Sequence, residues 1–125
     1  FSEFNIAVVA DDLAQESRQF RTDVPSGIDP LEQLAQQWQD FDGCPLALNE
    51  DKPRGQMLID MTKKYNADAV VICMMRFCDP EEFDYPIYKP EFEAAGVRYT
   101  VLDLDIESPS LEQLRTRIQA FSEIL

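Results

Sequence analysis

The sequence predicts an α/β fold: an open, three-layer sheet of mainly parallel strands flanked by helices. Three observations predict it. Short apolar runs recur at Ile6 to Ala10, Ala69 to Met75 and Val97 to Leu104, with the length and composition of strands. The residues between them place apolar side chains at helical spacing, and strands separated by helices pair in parallel through right-handed crossovers. The run at 69–75 is unbroken rather than alternating, as in a strand covered on both faces. These are the marks of a Rossmann-like or flavodoxin-like sheet, whose ligands gather at the carboxyl ends of the strands.

Each element has its own local reason. Ile6 to Ala10 is a short β-branched run ending at Asp11-Asp12. Residues 13–28 are polar and irregular, with at most one helical turn. Asp29-Pro30-Leu31-Glu32 starts a helix: Asp29 caps, Pro30 suits the first helical position and Glu32 closes a capping box. Leu31, Leu34, Ala35, Trp38 and Phe41 form its stripe, and Gly43 stands where a helix end wants a glycine. A second helix fits 53–65, with Met57, Leu58, Met61 and Tyr65 on one face. The strand at 69–75 follows. Asp79-Pro80-Glu81-Glu82 repeats the logic of Asp29 to Glu32, so a helical turn starts directly after Cys78. Pro86 and Pro90 interrupt or kink it, and Gly96 ends it. After the strand at 97–104, Ser108-Pro109-Ser110 opens a last helix with Leu111, Leu114, Ile118, Phe121 and Ile124 as its stripe.

The chain has 125 residues, which is one α/β domain over 1–125. The Pro and Gly punctuation leaves no gap long enough for an interdomain linker. The first residue is Phe1 rather than Met, as expected of a segment cut from a longer polypeptide. Lys plus Arg is 11 against 24 Asp plus Glu, a net charge of −13. Nucleic acid and anionic membrane need positive surface, so neither is an expected partner. Residues 1–52 hold 11 acids and 3 bases, and 53–125 hold 13 and 8, so an anionic ligand is expected to find its counter-charges in the second half. There is no histidine, which removes Ser-His-Asp and Cys-His catalysis and histidine metal ligands. No run of about 20 apolar residues occurs, nor a signal-peptide pattern. Three cysteines are too few for a disulfide scaffold, and a reducing, cytoplasmic setting is expected.

Cys78 is the leading site candidate. It lies three residues past the 69–75 strand and immediately before the expected helix N-cap at Asp79, at the sheet's carboxyl edge. A helix N-terminus favours the thiolate, the form that binds metal or attacks, and Arg76 pushes the same way. Position alone leaves two readings open, a functional thiol and an inert buried one. Cys73, among Val, Ile and Met, is expected in the core. Cys44 sits in a Gly-Cys-Pro loop with nothing to activate it. No C-x-x-C pair is present, so three cysteines without histidine do not make a closed zinc site, but they can supply part of an iron–sulfur site. Asp11-Asp12 has the look of a Mg²⁺ site in a phosphoacceptor receiver domain, but the later strands do not deliver the acceptor Asp and Lys that such a domain needs. Arg115 and Arg117 lie on the last helix, where 117 shares a face with Gln113 and 115 points elsewhere. Each is either a solvated residue or a contact for a phosphate, a carboxylate or a partner subunit. No glycine-rich phosphate loop occurs.

Three motifs carry a family resemblance. Phe77-Cys78-Asp79-Pro80-Glu81-Glu82-Phe83-Asp84-Tyr85-Pro86 resembles a signature of the 2-hydroxyacyl-CoA dehydratase D-component family, which also includes benzoyl-CoA reductase subunits. Residues 112–123 are similar to the family's carboxyl-terminal helix. Asp11-Asp12-Leu13, with Arg18 and Phe20-Arg21-Thr22-Asp23, is similar to a third family pattern. The three fall in order across nearly the whole chain.

The resemblance implies an iron–sulfur subunit with two α/β domains, of which this chain is the C-terminal one. Each such subunit carries a [4Fe–4S] cluster on three cysteines. The one in the Phe-Cys-Asp motif is Cys78 here, and the other two belong to the part preceding this segment, not to Cys44 or Cys73. The implied partners are a second dehydratase subunit, an ATP-dependent iron–sulfur activator and an acyl-CoA substrate. The implied reaction is radical elimination of water from a 2-hydroxyacyl-CoA after one-electron activation, through a substrate ketyl radical. Reductive dearomatisation of an aryl-CoA is the alternative within the family. A receiver-like module, or an assembly part that has lost its cluster, is the alternative of another class. Arg76, Arg115 and Arg117 remain candidate substrate or partner contacts.

Overall fold

The computed structural model describes residues 1–27, 29–46, 49–105 and 111–125. Its sheet is formed by β1 (Val70–Met75) and β2 (Tyr99–Leu104), which run parallel with Val70 opposite Tyr99 and Met75 opposite Leu104. The ladder runs on at both ends: the Val70 N–H donates to the Arg98 carbonyl and the Arg76 N–H to the Leu104 carbonyl, both at 2.9 Å. The helices are α1 (Ser17–Phe20), α2 (Pro30–Gln39), α3 (Arg54–Lys64), α4 (Asp79–Ala95) and α5 (Leu111–Ser122). A single 3₁₀ turn covers Ser2–Phe4. The fold is α/β, with the β1–α4–β2 crossover that parallel pairing requires.

The core lies where α3 and α4 meet the sheet. Asp84, Tyr88 and Phe92 recur every four residues and form the buried ridge of α4, with Phe92 0% exposed. Ile59 of α3 meets Tyr88 and Phe92, and Leu58, Val70, Ile72, Tyr85, Val97 and Tyr99 close around them. The Phe92 and Tyr99 rings meet edge to face at 5.7 Å, a favourable aromatic geometry. Gly55 lets α3 approach this closely. A Cβ there would fall 2.7 Å from the Tyr88 Cβ and overlap the Glu91 carboxylate.

Several expectations hold and several are corrected. α3, β1, β2 and α5 fall where the sequence puts them, and α4 starts within one residue, with Cys78 rather than Asp79 as its N-cap. Asp29 caps α2 by accepting the Leu31 N–H at 2.9 Å, and Gly96 ends α4 in the left-handed conformation. The expected start of α5 at Ser108-Pro109-Ser110 lies outside the described residues.

Ile6 to Ala10 is not a strand: Val8 and Val9 are exposed and the segment joins no ladder. A strand exists through its pairing, and composition alone supplies none. The sheet therefore has two strands among the described residues where three were expected, parallel and flanked by helices as expected. Pro86 and Pro90 do not interrupt α4. Both lie on its exposed side with Glu82, where water can take the carbonyls whose helical donors the prolines remove.

The stripe of α2 does not face a core, since Leu31 is 77% and Trp38 73% exposed. The buried face of α3 is centred on Arg54, Gly55 and Ile59, and Tyr65 is exposed. On α5, Phe121 is buried and Leu114 and Ile118 half-buried, but Leu111 and Ile124 are exposed. Strand alternation puts Cys73 and Leu102 on the face opposite Val70 and Ile72. α5 packs on β2 and Leu102 is buried, but Cys73 is exposed, so β1 is not covered on both faces.

Candidate functional site

The turn from β1 into α4 presents the Cys78 thiol. The Cys78 N–H donates to the Met75 carbonyl at 3.1 Å and closes the turn. Phe77 adopts φ +64° and is 91% exposed. A bulky side chain in the left-handed region is uncommon and strained. Cys78 is the N-cap of α4, half-buried, and its side chain makes no capping hydrogen bond. Glu82 secures the turn from two directions: its N–H donates to the Cys78 carbonyl at 3.0 Å, and its Oε1 accepts the Phe77 N–H at 3.2 Å. The thiol therefore stands at the N-terminus of a 17-residue helix, where the free N–H groups and the helix dipole favour negative charge.

One turn further along α4 lies a closed ring of charges. Glu81 pairs with Arg54 through Oε2, and its Oε1 accepts from Nη1 and Nη2 of Arg18, each at 3.2 Å. Asp12 completes the ring, since its Oδ2 lies 3.1 Å from Nη2 of both Arg18 and Arg54. Arg21 takes the other oxygen of Asp12 at 2.7 Å and also donates to the Asp42 carbonyl at 2.9 Å. Asp84 approaches Arg54 at 3.8 Å and pairs with Lys52 at 3.2 Å. Burial opposes the charge of Arg54, but the Glu81 hydrogen bond and the Glu81 and Asp12 charges outweigh it and hold its pKa above the usual value. The Arg54 guanidinium also lies 5.8 Å from the centre of the Tyr88 ring, and burial pushes the Tyr88 hydroxyl up to about 12.

The structure separates the other sequence candidates from this ring. Arg76 pairs with Asp105 at 3.4 Å, Arg117 with Asp103 at 3.2 Å and Arg115 with Glu3 at 2.8 Å. All three are mostly exposed. Asp11 is a turn former: its Oδ1 accepts the Leu13 and Ser17 N–H groups, each at 3.1 Å. The Leu13 bond leads in holding its carboxyl below the usual range. Both oxygens of Asp12 are engaged by arginines, so the receiver-type Mg²⁺ site is not built. Among the described residues, no three His, Cys, Asp or Glu side chains converge on a metal position. The Cys73 thiol is raised by burial although it lies on the open face of β1. Cys44 is half-buried. Cys78 is thus a single candidate thiol ligand, and any metal group held there would need further ligands beyond those the described residues bring together.

The sequence reading missed the ring. It expected counter-charges in the second half of the chain, yet all three bases of residues 1–52 (Arg18, Arg21 and Lys52) stand here. Arg54 went unnoticed. The available signal was that these few cations sit in a strongly acidic segment. No helix among the described residues is long and apolar enough to cross a membrane.

The family model for the 2-hydroxyglutaryl-CoA dehydratase D-component matches residues 1–125. The chain is 52% identical, over its full length, to 34% of the lactoyl-CoA dehydratase beta subunit of Anaerotignum propionicum. It is 45% identical, over 98% of its length, to 33% of the (R)-phenyllactyl-CoA dehydratase beta subunit of Clostridium sporogenes. It is 32% identical, over 96% of its length, to 33% of the (R)-2-hydroxyglutaryl-CoA dehydratase beta subunit of Acidaminococcus fermentans. The chain spans about a third of the length of these curated relatives.

Proposed function

This chain belongs to the 2-hydroxyglutaryl-CoA dehydratase D-component family, and from that premise we propose that it is the thiol-bearing α/β domain of a 2-hydroxyacyl-CoA dehydratase subunit. The observation that carries the reading is Cys78 as N-cap of α4 at the carboxyl end of β1. A single thiol implies a shared site. The domain is read as the C-terminal part of a longer subunit, with the other cysteine ligands of a [4Fe–4S] cluster in the preceding part. The β1–β2 pair is then a piece of a larger Rossmann-like sheet. The protein works in the cytoplasm with a second subunit and an ATP-dependent iron–sulfur activator.

A bound cluster would be held by Cys78 and would supply Lewis-acid and one-electron chemistry. This chain's own residues hold that site in place. Cys78 provides the sulfur, at a helix N-terminus. Glu82 and the Phe77 conformation set the backbone of the turn that carries it. The 2-hydroxyacyl-CoA loses its hydroxyl and a proton as water and leaves as an enoyl-CoA. The similarity to three dehydratase subunits favours this over reduction of an aryl-CoA.

The test is iron and acid-labile sulfide in the full-length protein purified without oxygen, for wild type and Cys78→Ser. The expected result is about four of each per subunit in wild type, with loss of both in the variant. Iron-free wild type, or a variant with its full iron, overturns the reading.

A further inference from the structure

We infer that the ring of Arg18, Asp12, Arg54 and Glu81 positions the Cys78 thiol as well as joining the segments it links. The inference rests on the reading of Cys78 as a cluster ligand. Glu81 lies three residues past Cys78 in the first turn of α4, and both of its oxygens are held by guanidinium groups. Each arginine in turn holds Asp12. Forked donors on a carboxylate fix its direction as well as its distance. The same turn is held on its other side by the Phe77 N–H on Glu82. The backbone after the thiol is thus tied to a side chain held at both oxygens, and the backbone before it to the exposed Glu82 carboxylate by one hydrogen bond.

Stability alone does not account for this construction. The ring side chains are only 8–20% exposed, and apolar residues of similar volume often hold buried segments together equally well. What charges add is direction, and a metal ligand needs direction: groups hydrogen-bonded directly to a ligand commonly change metal affinity by roughly 10–100-fold when removed, and Glu81, which acts through the backbone of the turn, belongs at the lower end. The wider cluster has four cations (Arg18, Arg21, Arg54, Lys52) against three carboxylates (Asp12, Glu81, Asp84). The surplus cation offsets part of the charge of Asp79 and Glu82, the acids that flank Cys78 in the first turn of α4.

The experiment uses the full-length protein, purified without oxygen with its partner subunit. It compares wild type, Glu81→Gln, Asp12→Asn, Cys78→Ser and the exposed control Glu123→Gln. The readouts are the rate of iron release to a chelator, visible circular dichroism per iron and the thermal midpoint. Glu81→Gln is expected to release iron roughly tenfold faster and to change the circular dichroism of the iron that remains, with the control unchanged. Asp12→Asn, which touches no residue of the Cys78 turn, is expected to move both readouts in the same direction, and it decides the matter if Glu81→Gln does not fold. If Cys78→Ser loses its iron while both ring variants match wild type, or the control moves as far as they do, the positioning role is overturned and the ligand reading stands. If Cys78→Ser keeps its iron, both fall.

Discussion

Arg54 places Nη2 3.1 Å from Oδ2 of Asp12 across 42 residues of sequence. It joins the first turn of α3 to the segment ahead of α1. Both side chains are about nine-tenths buried, so removing Arg54 takes a charge partner from Asp12, Glu81 and Asp84 at once, although Arg18 and Arg21 still hold Asp12. Arg54→Met is expected to cost about 3–5 kcal/mol of stability, read from urea denaturation of the chain. A loss under about 1 kcal/mol would mean that the ring is hydrated and energetically idle.

Gly55→Ala reverses the usual sign of its kind. Within a helix, alanine is normally better than glycine, by up to about 1 kcal/mol in the interior and less in the first turn, where Gly55 lies. Here the added methyl meets the Tyr88 Cβ and the Glu91 carboxylate, so α3 and α4 must separate. The net expectation is a loss of about 1–3 kcal/mol, the range for overpacking. Gly55→Ala with Glu91→Ala should recover part of it. A stabilised single variant would show that the helices can part freely.

Tyr88 makes the fold sensitive to alkali. Burial is the first cause that pushes its hydroxyl from 10.0 up to about 12. The folded pKa is raised, so the stability it protects is intact below pH about 10. It is lost as the unfolded chain ionises first, between about 10 and 12. The loss from this group is on the order of 2 kcal/mol. Tyr99 is also raised to about 12 and titrates in the same window. Denaturation at pH 9 and pH 11.5 should therefore show a shallower decline for Tyr88→Phe than for wild type. Equal slopes would rule out the buried hydroxyl as the cause.

What could be read from the chain follows the range of the interaction. The start of α4, the cap at Asp29 and the end at Gly96 depend on neighbours within four residues, and all three appear within one residue of where the sequence puts them. β1 and β2 were readable because apolar, β-branched runs have one ready use. Ile6 to Ala10 has the same composition and no partner strand, so it stays unpaired. The α2 stripe has the right period, but period identifies a face without identifying what covers it. The ring was the hardest feature to foresee. Its contacts span 6, 27, 42 and 63 residues, and no spacing rule links Asp12 to Arg54 or Arg18 to Glu81. Cys78 was found because its cue is local, a cysteine between a strand and a helix start.

Phe77 separates stability from function. Its φ of +64° costs a β-carbon-bearing residue about 1–2 kcal/mol, and with 91% of the residue exposed its ring recovers little by packing. Glycine adopts this conformation freely but loses more entropy on folding. Phe77→Gly is therefore expected to be about 0.5–1 kcal/mol more stable than wild type in urea denaturation. Strain of this kind persists at sites where a particular geometry is needed. The stabilised Phe77→Gly variant should then hold iron less well than wild type in the full-length protein, because a glycine at 77 no longer restricts the turn before Cys78. A variant that gains stability and keeps its iron fully would show that the exposed ring and its strained backbone have no part in holding the thiol.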